Sequence, residues 1–399
     1  MKICLISDLH LINNPRVWKE AKLLSDEGYE ISILTIWTSA ERRDKDLKLL
    51  EGYPIKYIAP INLIKGEISF IQRFFHRAIL KFSKLLMQFL KIETKWLIGF
   101  SPDLMLKKAL EEKADLYIAH TEYGMYIGNE LIKKSKKVAY DYEDWYSQDY
   151  LVASRPVKFL RTIEKFALQH GAFCICPSLA MAKAIQGDTD CSNEIIPVYN
   201  GFSITEKKTT IGNSEKIPNS LIWFSQTIGP GRGLEELIES LNFLSNVIEL
   251  HLLGSVDEMY KNKLMSAFPS KHKLVFHEPV SHKDLLGILS KFTIGLALES
   301  RYPESRNTTI TNKILQYVQA GIKVLATDTL GQREVASFFP ELVEIVPQNT
   351  PERWAKAIEQ LLSSDSVDEV AIDEKFKNIF SLEAQQKKIL SLVSKTLNS

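Results

Sequence analysis

Thr311-Asn-Lys-Ile-Leu-Gln-Tyr-Val-Gln-Ala-Gly-Ile-Lys-Val-Leu-Ala-Thr-Asp328, followed at once by Thr329-Leu-Gly-Gln-Arg-Glu334, changes its periodicity partway along. Ile314, Leu315, Val318 and Gln319 recur at helical spacing, which predicts a helix with Asn312 and Lys313 in its first turn. Gly321 ends that helix, because the residue just past a last turn often needs positive φ. Val324-Leu-Ala then reads as a short buried strand. Thr308, Thr309 and Thr311 supply hydroxyl caps for the helix start, leaving free N–H groups and a positive dipole end suited to an anion. A helix leading straight into a strand is the repeating piece of a parallel sheet.

Working outward, the same alternation runs in both directions. Residues 2–7 read as a strand, 15–27 as a helix stopped at Gly28, and Glu30–Ile36 as a second strand. Further strands fall near 55–58, 115–119, 136–140, 173–176 and 195–198, with helices near 122–134, 156–170 and 178–185. The pattern lapses through the polar stretch 204–218, the natural linker. A second series begins at Leu221-Ile-Trp-Phe-Ser225 and continues through Ile248–Leu253, Leu274–Phe276, Ile294–Leu298 and Val324–Ala326. Thr350-Pro351 opens a helix to Leu362, and a last amphipathic segment occupies about 381–397. The expectation is an α/β protein of two parallel-sheet domains, 1–203 joined by the C-terminal helix 381–399, and 219–380. Ligands of such sheets bind at the strands' carboxyl ends, so a cleft between the domains is the expected site.

Composition agrees. The chain has 399 residues, more than one core usually supports, with 45% hydrophobic and 25% charged residues. A net charge of +1 argues against a dedicated nucleic-acid binder. Cys4, Cys174, Cys176 and Cys191 show no zinc-type spacing; Cys174-Ile-Cys176 reads as two buried thiols on one side of a strand, which fits a reducing, cytoplasmic setting. No stretch reaches transmembrane length without charges. Residues 64–98 break the rhythm: Ile71, Phe74, Phe75, Ala78, Ile79, Phe82, Leu85, Leu86 and Phe89 recur at helical spacing. Arg73, Arg77, Lys81, Lys84, Lys91 and Lys95 form a basic stripe on the other side. Two readings stand: an amphipathic helix packed on the first domain, or a helix contacting a membrane surface.

Glycines 229, 231 and 233, between a strand and a helix, let the backbone approach a diphosphate, with Arg232 as charge partner. His120 ends one predicted strand, and Asp141-Tyr-Glu143-Asp144 ends the next. Asp8-Leu-His10 resembles the opening Asp-x-His of calcineurin-like metallophosphoesterases, but that family's downstream metal motifs are missing, so no metal is assigned. It reads instead as the first βα loop, which continues through Asn14 and Arg16 without a Gly-x-Gly-x-x-Gly.

Asn312-Lys-Ile-x-x-Tyr-x-x-Ala-Gly321 with Thr327-Asp-x-x-Gly331 resembles the donor-site helix of family 4-type glycosyltransferases. So do Asn14-Pro-Arg-Val with its Gly28-Tyr-Glu-Ile, and Pro197-Val-Tyr-Asn-Gly201. The resemblance implies the GT-B fold, two Rossmann-like domains with the final helix crossing back to the first. It implies retaining, metal-independent transfer of a sugar from a nucleotide diphosphate donor to an acceptor hydroxyl, with closure over both substrates. The acceptor would be a glycan of surface-glycan or glycolipid assembly, met in the cytoplasm; a lipid-linked acceptor at the membrane's inner face is suggested only by residues 64–98. Donor contacts would come from Gly229, Gly231, Arg232, Gly233, Glu304, Thr311, Asn312, Lys313 and Gln316, and acceptor contacts from Asp8, His10, Asn14 and Arg16. His120, Glu143, Asp144 and Glu299 would be the catalytic candidates. Departures from the family pattern are visible. Ser225-Gln226 stands where Gly-Arg is usual, so the second phosphate cation is either absent or supplied by Lys313 or Arg301. The first of two usual glutamates is Glu299 or Glu304, and Gln316 replaces the second. A sugar-nucleotide epimerase of the same fold, or a silent nucleotide-sugar or partner-binding relative, are the alternatives.

Overall fold

The computed structural model describes residues 1–68, 70–151, 155–189, 191, 193–204, 216–348, 350–365 and 367–399. The expected linker 204–218 falls mostly outside the described residues, as do the side chains of Ile71 and Arg73. The chain divides into two compact units, Met1–Val198 with Gln386–Ser399, and Tyr199–Gln385. Residues 199–203 and 381–385 thus count with the second unit.

The first unit is built on β1 (Lys2–Ile6), β2 (Glu30–Trp37), β3 (Ile55–Asn62), β4 (Leu116–His120), β5 (Val138–Asp141), β6 (Cys174–Cys176) and β7 (Ile195–Pro197). Its helices are α1 (Pro15–Asp26), α2 (Ala40–Leu50), α3 (Phe70–Leu90), α4 (Pro102–Glu112), α5 (Thr121–Ile132), α6 (Val157–His170) and α7 (Leu179–Thr189). The strands form one parallel sheet in the order β3-β2-β1-β4-β5-β6-β7. Successive side chains of a strand point to opposite faces, and β1 uses both. Ile3 and Leu5 pack with Val17, Ala21 and Leu24 of α1, while Cys4 and Ile6 pack with Met105 and Tyr123 on the other side. Helices on both faces leave the strands no wet side, which is why their sequences read as continuous apolar runs. Cys174 and Cys176 share one of these cores, their thiols donating to the carbonyls of Ala167 and Ser178.

The second unit repeats the plan with β8 (Ser220–Ile228), β9 (Glu249–Val256), β10 (Lys273–His277), β11 (Ile294–Ala297), β12 (Lys323–Thr327) and β13 (Val343–Val346). Its helices are α8 (Leu234–Leu241), α9 (Glu258–Ala267), α10 (His282–Leu289), α11 (Glu304–Thr308), α12 (Asn312–Ala320), α13 (Leu330–Phe338), α14 (Pro351–Ser363) and α15 (Glu369–Ile379). The strands are again all parallel, in the order β10-β9-β8-β11-β12-β13. The last helix, α16 (Leu382–Asn398), starts in the second unit and ends in the first, where Val393 joins the Ile3–Leu5 core.

In both sheets the strand order reverses direction once, beside β1 and β4 in the first and beside β8 and β11 in the second. Such a reversal leaves a crevice outside the strands' carboxyl ends, where no crossover helix can cover both neighbours. Each unit therefore has one topologically favoured ligand position.

Candidate functional site

In the second unit the turn after β8 and the loop after β11 meet at that reversal. They line a cavity of about 320 Å³ whose walls include Gly231, Arg232, Gly233, Glu299, Arg306 and Gln348. Gly231 and Gly233 have φ of +71° and +79°, a region that side chains disfavour, so this turn requires glycine twice. Gly233 also opens α8, and a Cβ there would come within 3.1 Å of the Leu298 Cβ. A side chain would push the turn off the loop and open the cavity.

Glu299 lines the site and is fixed from three sides. Its amide donates to the Thr327 hydroxyl at 2.7 Å, its carbonyl accepts from Gln348 Nε2 at 2.6 Å, and its carboxylate takes the Lys313 ammonium at 2.6 Å. Lys313 lies 5.6 Å from the centroid of the buried Trp223 ring and is itself nearly buried. Arg232 and Glu299 line the same cavity, and Lys313 holds the Glu299 carboxylate. Neither Arg232 nor Arg306 has an ion-pair partner among the described residues, which leaves two guanidinium groups in the walls open to an anion. Arg301, in contrast, is spent on Asp328, together with Arg333.

The start of α12 differs from its sequence reading. Thr308 and Thr309 bond back to the Glu304 and Ser305 carbonyls of the preceding turn rather than capping this helix. Thr311 occupies the cap position without bonding an amide, and its buried hydroxyl has no partner among the described residues. The first amides of α12 are thus not consumed by a side-chain cap. Gly321 closes the helix at φ +70°, as the sequence predicts. Asn312 accepts from Asn200 at 3.2 Å, Glu304 accepts from Asn307 in its own helix, and Gln316 is buried.

In the first unit Asn14, Arg16, Glu20, His120, Asp141 and Glu143 form one buried charge cluster at the carboxyl ends of β4 and β5. His120 is fully buried; Nδ1 lies 3.0 Å from Glu143, and Nε2 lies 2.8 Å from Glu20 without hydrogen-bond alignment, a charge contact. Burial alone would lower its pKa, but the carboxylates of Glu143, Glu20 and Asp141 reverse this and hold the ring charged, up to about 10. Arg16 binds Asp141 and the Val198 carbonyl, and Asn14 both caps α1 and donates to Glu143 at 2.7 Å. Burial raises Asp141 from its ordinary value, against the pull of Arg16 and His120. Glu20, His120 and Asp141 bring three ligand-type atoms within 4.8 Å, yet the imidazolium already carries a proton where a metal would need a lone pair. Asp144 accepts from the Trp145 amide, at 2.8 Å.

Asp8 and His10 lie apart from this cluster, in the wall of a cavity of about 480 Å³ that also includes Arg42, Leu80 and Phe100. His10 accepts the Thr38 amide at Nε2, so its proton is on Nδ1 and goes to Asp46 at 2.6 Å. With both ring nitrogens committed, His10 supports the loop. Asp8 accepts from Thr121 at 2.7 Å, and burial raises its pKa.

Sequence reading singled out neither Glu20 nor Arg306. The signal for Glu20 is its i,i+4 spacing from Arg16 on α1, which sets both on one face. Arg306 had none beyond lying two residues from Glu304.

No family model matches the chain, and no curated protein matches it. Solved structures do. Sucrose-phosphate synthase from Thermosynechococcus elongatus superposes with a TM-score of 0.70 at 14% identity, covering 99% of this chain and 98% of the other. HepE of Anabaena, in its complex with UDP, gives 0.69 at 14% identity over 99% and 100%. TarM of S. aureus, in a complex with fondaparinux, alpha-GlcNAc-glycerol and UDP, gives 0.65 at 11% identity over 100% of each chain. At such identity the likeness establishes the fold. The two parallel-sheet units are those of the GT-B fold, as the sequence implied.

Proposed function

We propose that this chain is a glycosyltransferase that moves a sugar from a nucleotide diphosphate donor to an acceptor hydroxyl. The observation that carries the reading is the cavity of the second unit. Two guanidinium groups without ion-pair partners among the described residues and a glycine turn line it with Glu299, whose carboxylate is held by Lys313 from the first turn of the uncapped α12. A leaving nucleoside diphosphate gains negative charge as its bond to the anomeric carbon breaks, and preorganised cations and amides lower that barrier most. Arg232 and Arg306 meet the diphosphate, with the amides at 231–233 and at Asn312 and Lys313 beside them. Glu299, oriented by Lys313, takes donor-sugar hydroxyls. Gln316 is buried in the unit's packing and Glu304 accepts from Asn307, so neither is assigned a donor contact.

On the acceptor side, the cavity at Asp8 and Arg42 takes the glycan, while the His120 cluster fixes Glu143 and Arg16. Transfer proceeds with retention and without a metal, in the cytoplasm or at the membrane's inner face, in surface-glycan or glycolipid assembly. HepE and TarM, both solved with UDP, favour a uridine diphosphate donor. A thermal-shift panel of UDP-, GDP-, ADP- and dTDP-sugars on the wild type, Arg232→Ala and Arg306→Ala tests this. One donor should stabilise the wild type and lose most of its effect in both variants; no response to any donor refutes the reading. Conversion of that donor with no acceptor present would instead mark an epimerase.

A further inference from the structure

Helix α3 (Phe70–Leu90) is 21 residues long, or about 31 Å at 1.5 Å per residue. Its apolar face does not pack as an amphipathic helix normally does. Phe74, Phe75, Phe82 and Phe89 are 60%, 60%, 61% and 72% exposed, and Leu85 and Leu90 are exposed with them. Ser83 is buried instead, with Ile79, Leu80, Leu86 and Met87 half-buried. At 3.6 residues per turn, Phe74, Phe75, Ala78, Phe82, Leu85 and Phe89 fall within an arc of about 100°. Arg77, Lys81 and Lys84, all exposed, fill the adjoining arc of about 60°. The helix thus has three strips: one packed, one aromatic and bare, one basic.

We propose that α3 is a docking surface for an anionic lipid bilayer, its phenylalanine strip entering the headgroup boundary and its lysine strip meeting lipid phosphate. Bare aromatic strips of this length keep apolar surface in water at a free-energy cost and are uncommon on isolated proteins. The charge pattern selects the occupant. From Phe70 to Ile92 the sequence has no acidic residue, while Arg77, Lys81, Lys84 and Lys91 are exposed and basic. An antiparallel pairing of two copies would set each basic strip against its counterpart, whereas an anionic surface pairs with all of them. No helix among the described residues is long and apolar enough to cross a membrane, so the helix lies in the interface plane.

One consequence, which rests on the proposed transfer while the docking does not, concerns the acceptor. Leu80 on the packed side of α3 lines the cavity at Asp8 and Arg42. A bilayer-seated α3 brings that cavity to the lipid surface, the placement required by an acceptor glycan anchored on a lipid.

Vesicle flotation of the full chain, with phosphatidylcholine alone and with phosphatidylglycerol added, tests the docking. The wild type should float with the anionic vesicles and be released by salt. Phe75→Gln/Phe82→Gln/Phe89→Gln and Lys81→Glu/Lys84→Glu should each lower the bound fraction on the order of tenfold. Glutamine and glutamate are good helix formers at exposed positions, so circular dichroism should be unchanged. Both variants should keep the donor-induced thermal shift; its absence from the wild type as well would speak against the transferase reading and leave the docking standing. A wild type that stays free of anionic vesicles, or variants that float as it does, overturns the proposal. So does a wild-type dimer in light scattering that the phenylalanine variant splits.

Discussion

Replacing His120 by glutamine removes the positive charge at the centre of the first unit's buried cluster. The ring's pKa moves from 6.5 to about 10 on folding, a preference for the charged form worth roughly 5 kcal/mol at ~1.4 kcal/mol per pH unit. A folded pKa above the unfolded one means that this stabilisation is complete below about pH 6.5, declines as pH rises, and is gone above about pH 10. In the variant, Glu20, Asp141 and Glu143 are left with Arg16 alone, and breaking a buried ion cluster from one side costs about 3–5 kcal/mol. Glu122, raised to about 7, and Glu164, raised to about 8, chiefly by burial, also hold protons in the folded state and add to the fall with pH. They are present in both proteins, so the difference between the two isolates His120. Urea unfolding followed by circular dichroism is the assay, read on the transition that the substitution moves. The gap should be several kcal/mol near pH 6 and shrink toward the ~1 kcal/mol of a lost hydrogen bond near pH 10. A gap that is constant with pH, or that widens, would refute the charged-ring account.

Other outcomes follow from the same structure. Arg232→Ala and Arg306→Ala should each weaken nucleoside diphosphate binding by about 10- to 100-fold in calorimetry, since a hydrogen bond to a charged group is worth about 1.5–3 kcal/mol. Lys313→Met leaves the nearly buried Glu299 carboxylate without its cation, so the second unit should melt earlier and Glu299→Gln in the same chain should recover part of the loss. Asp46→Ala orphans His10, Tyr57 and the Ile12 amide together and should cost about 3–5 kcal/mol in chemical denaturation. Gly331→Ala would place a Cβ 2.3 Å from the Thr309 carbonyl oxygen, forcing α13 away from the loop before α12, at about 1–3 kcal/mol in thermal melts.

What could be read from the sequence was local, and what could not was a matter of who meets whom. Strands buried on both faces announce themselves as short apolar runs, so nearly every strand of both sheets was legible. The edge strand β13 was not, because Glu344 interrupts its four residues. The highly charged α2 hides likewise: only Asp46 and Leu50 are buried, and Asp46 is there to hold His10 and Tyr57. Pairings across the sheet are invisible to spacing. Glu299 is held by Lys313 rather than by its chain neighbour Arg301, because the strand β12 that follows α12 in sequence lies next to β11 in space. His120 reads as a ligand-facing residue until its neighbours are counted; three carboxylates on α1, β5 and the loop beyond enclose it, and no sequence window contains all four. Helix α3 shows the opposite failure. Its period was plain, and period predicts which side chains share a face, but says nothing of what that face is turned toward. Burial of Ser83 beside an exposed Phe82 fixes the orientation, and that single reversal of the ordinary rule is what separates a packed amphipathic helix from one awaiting a surface.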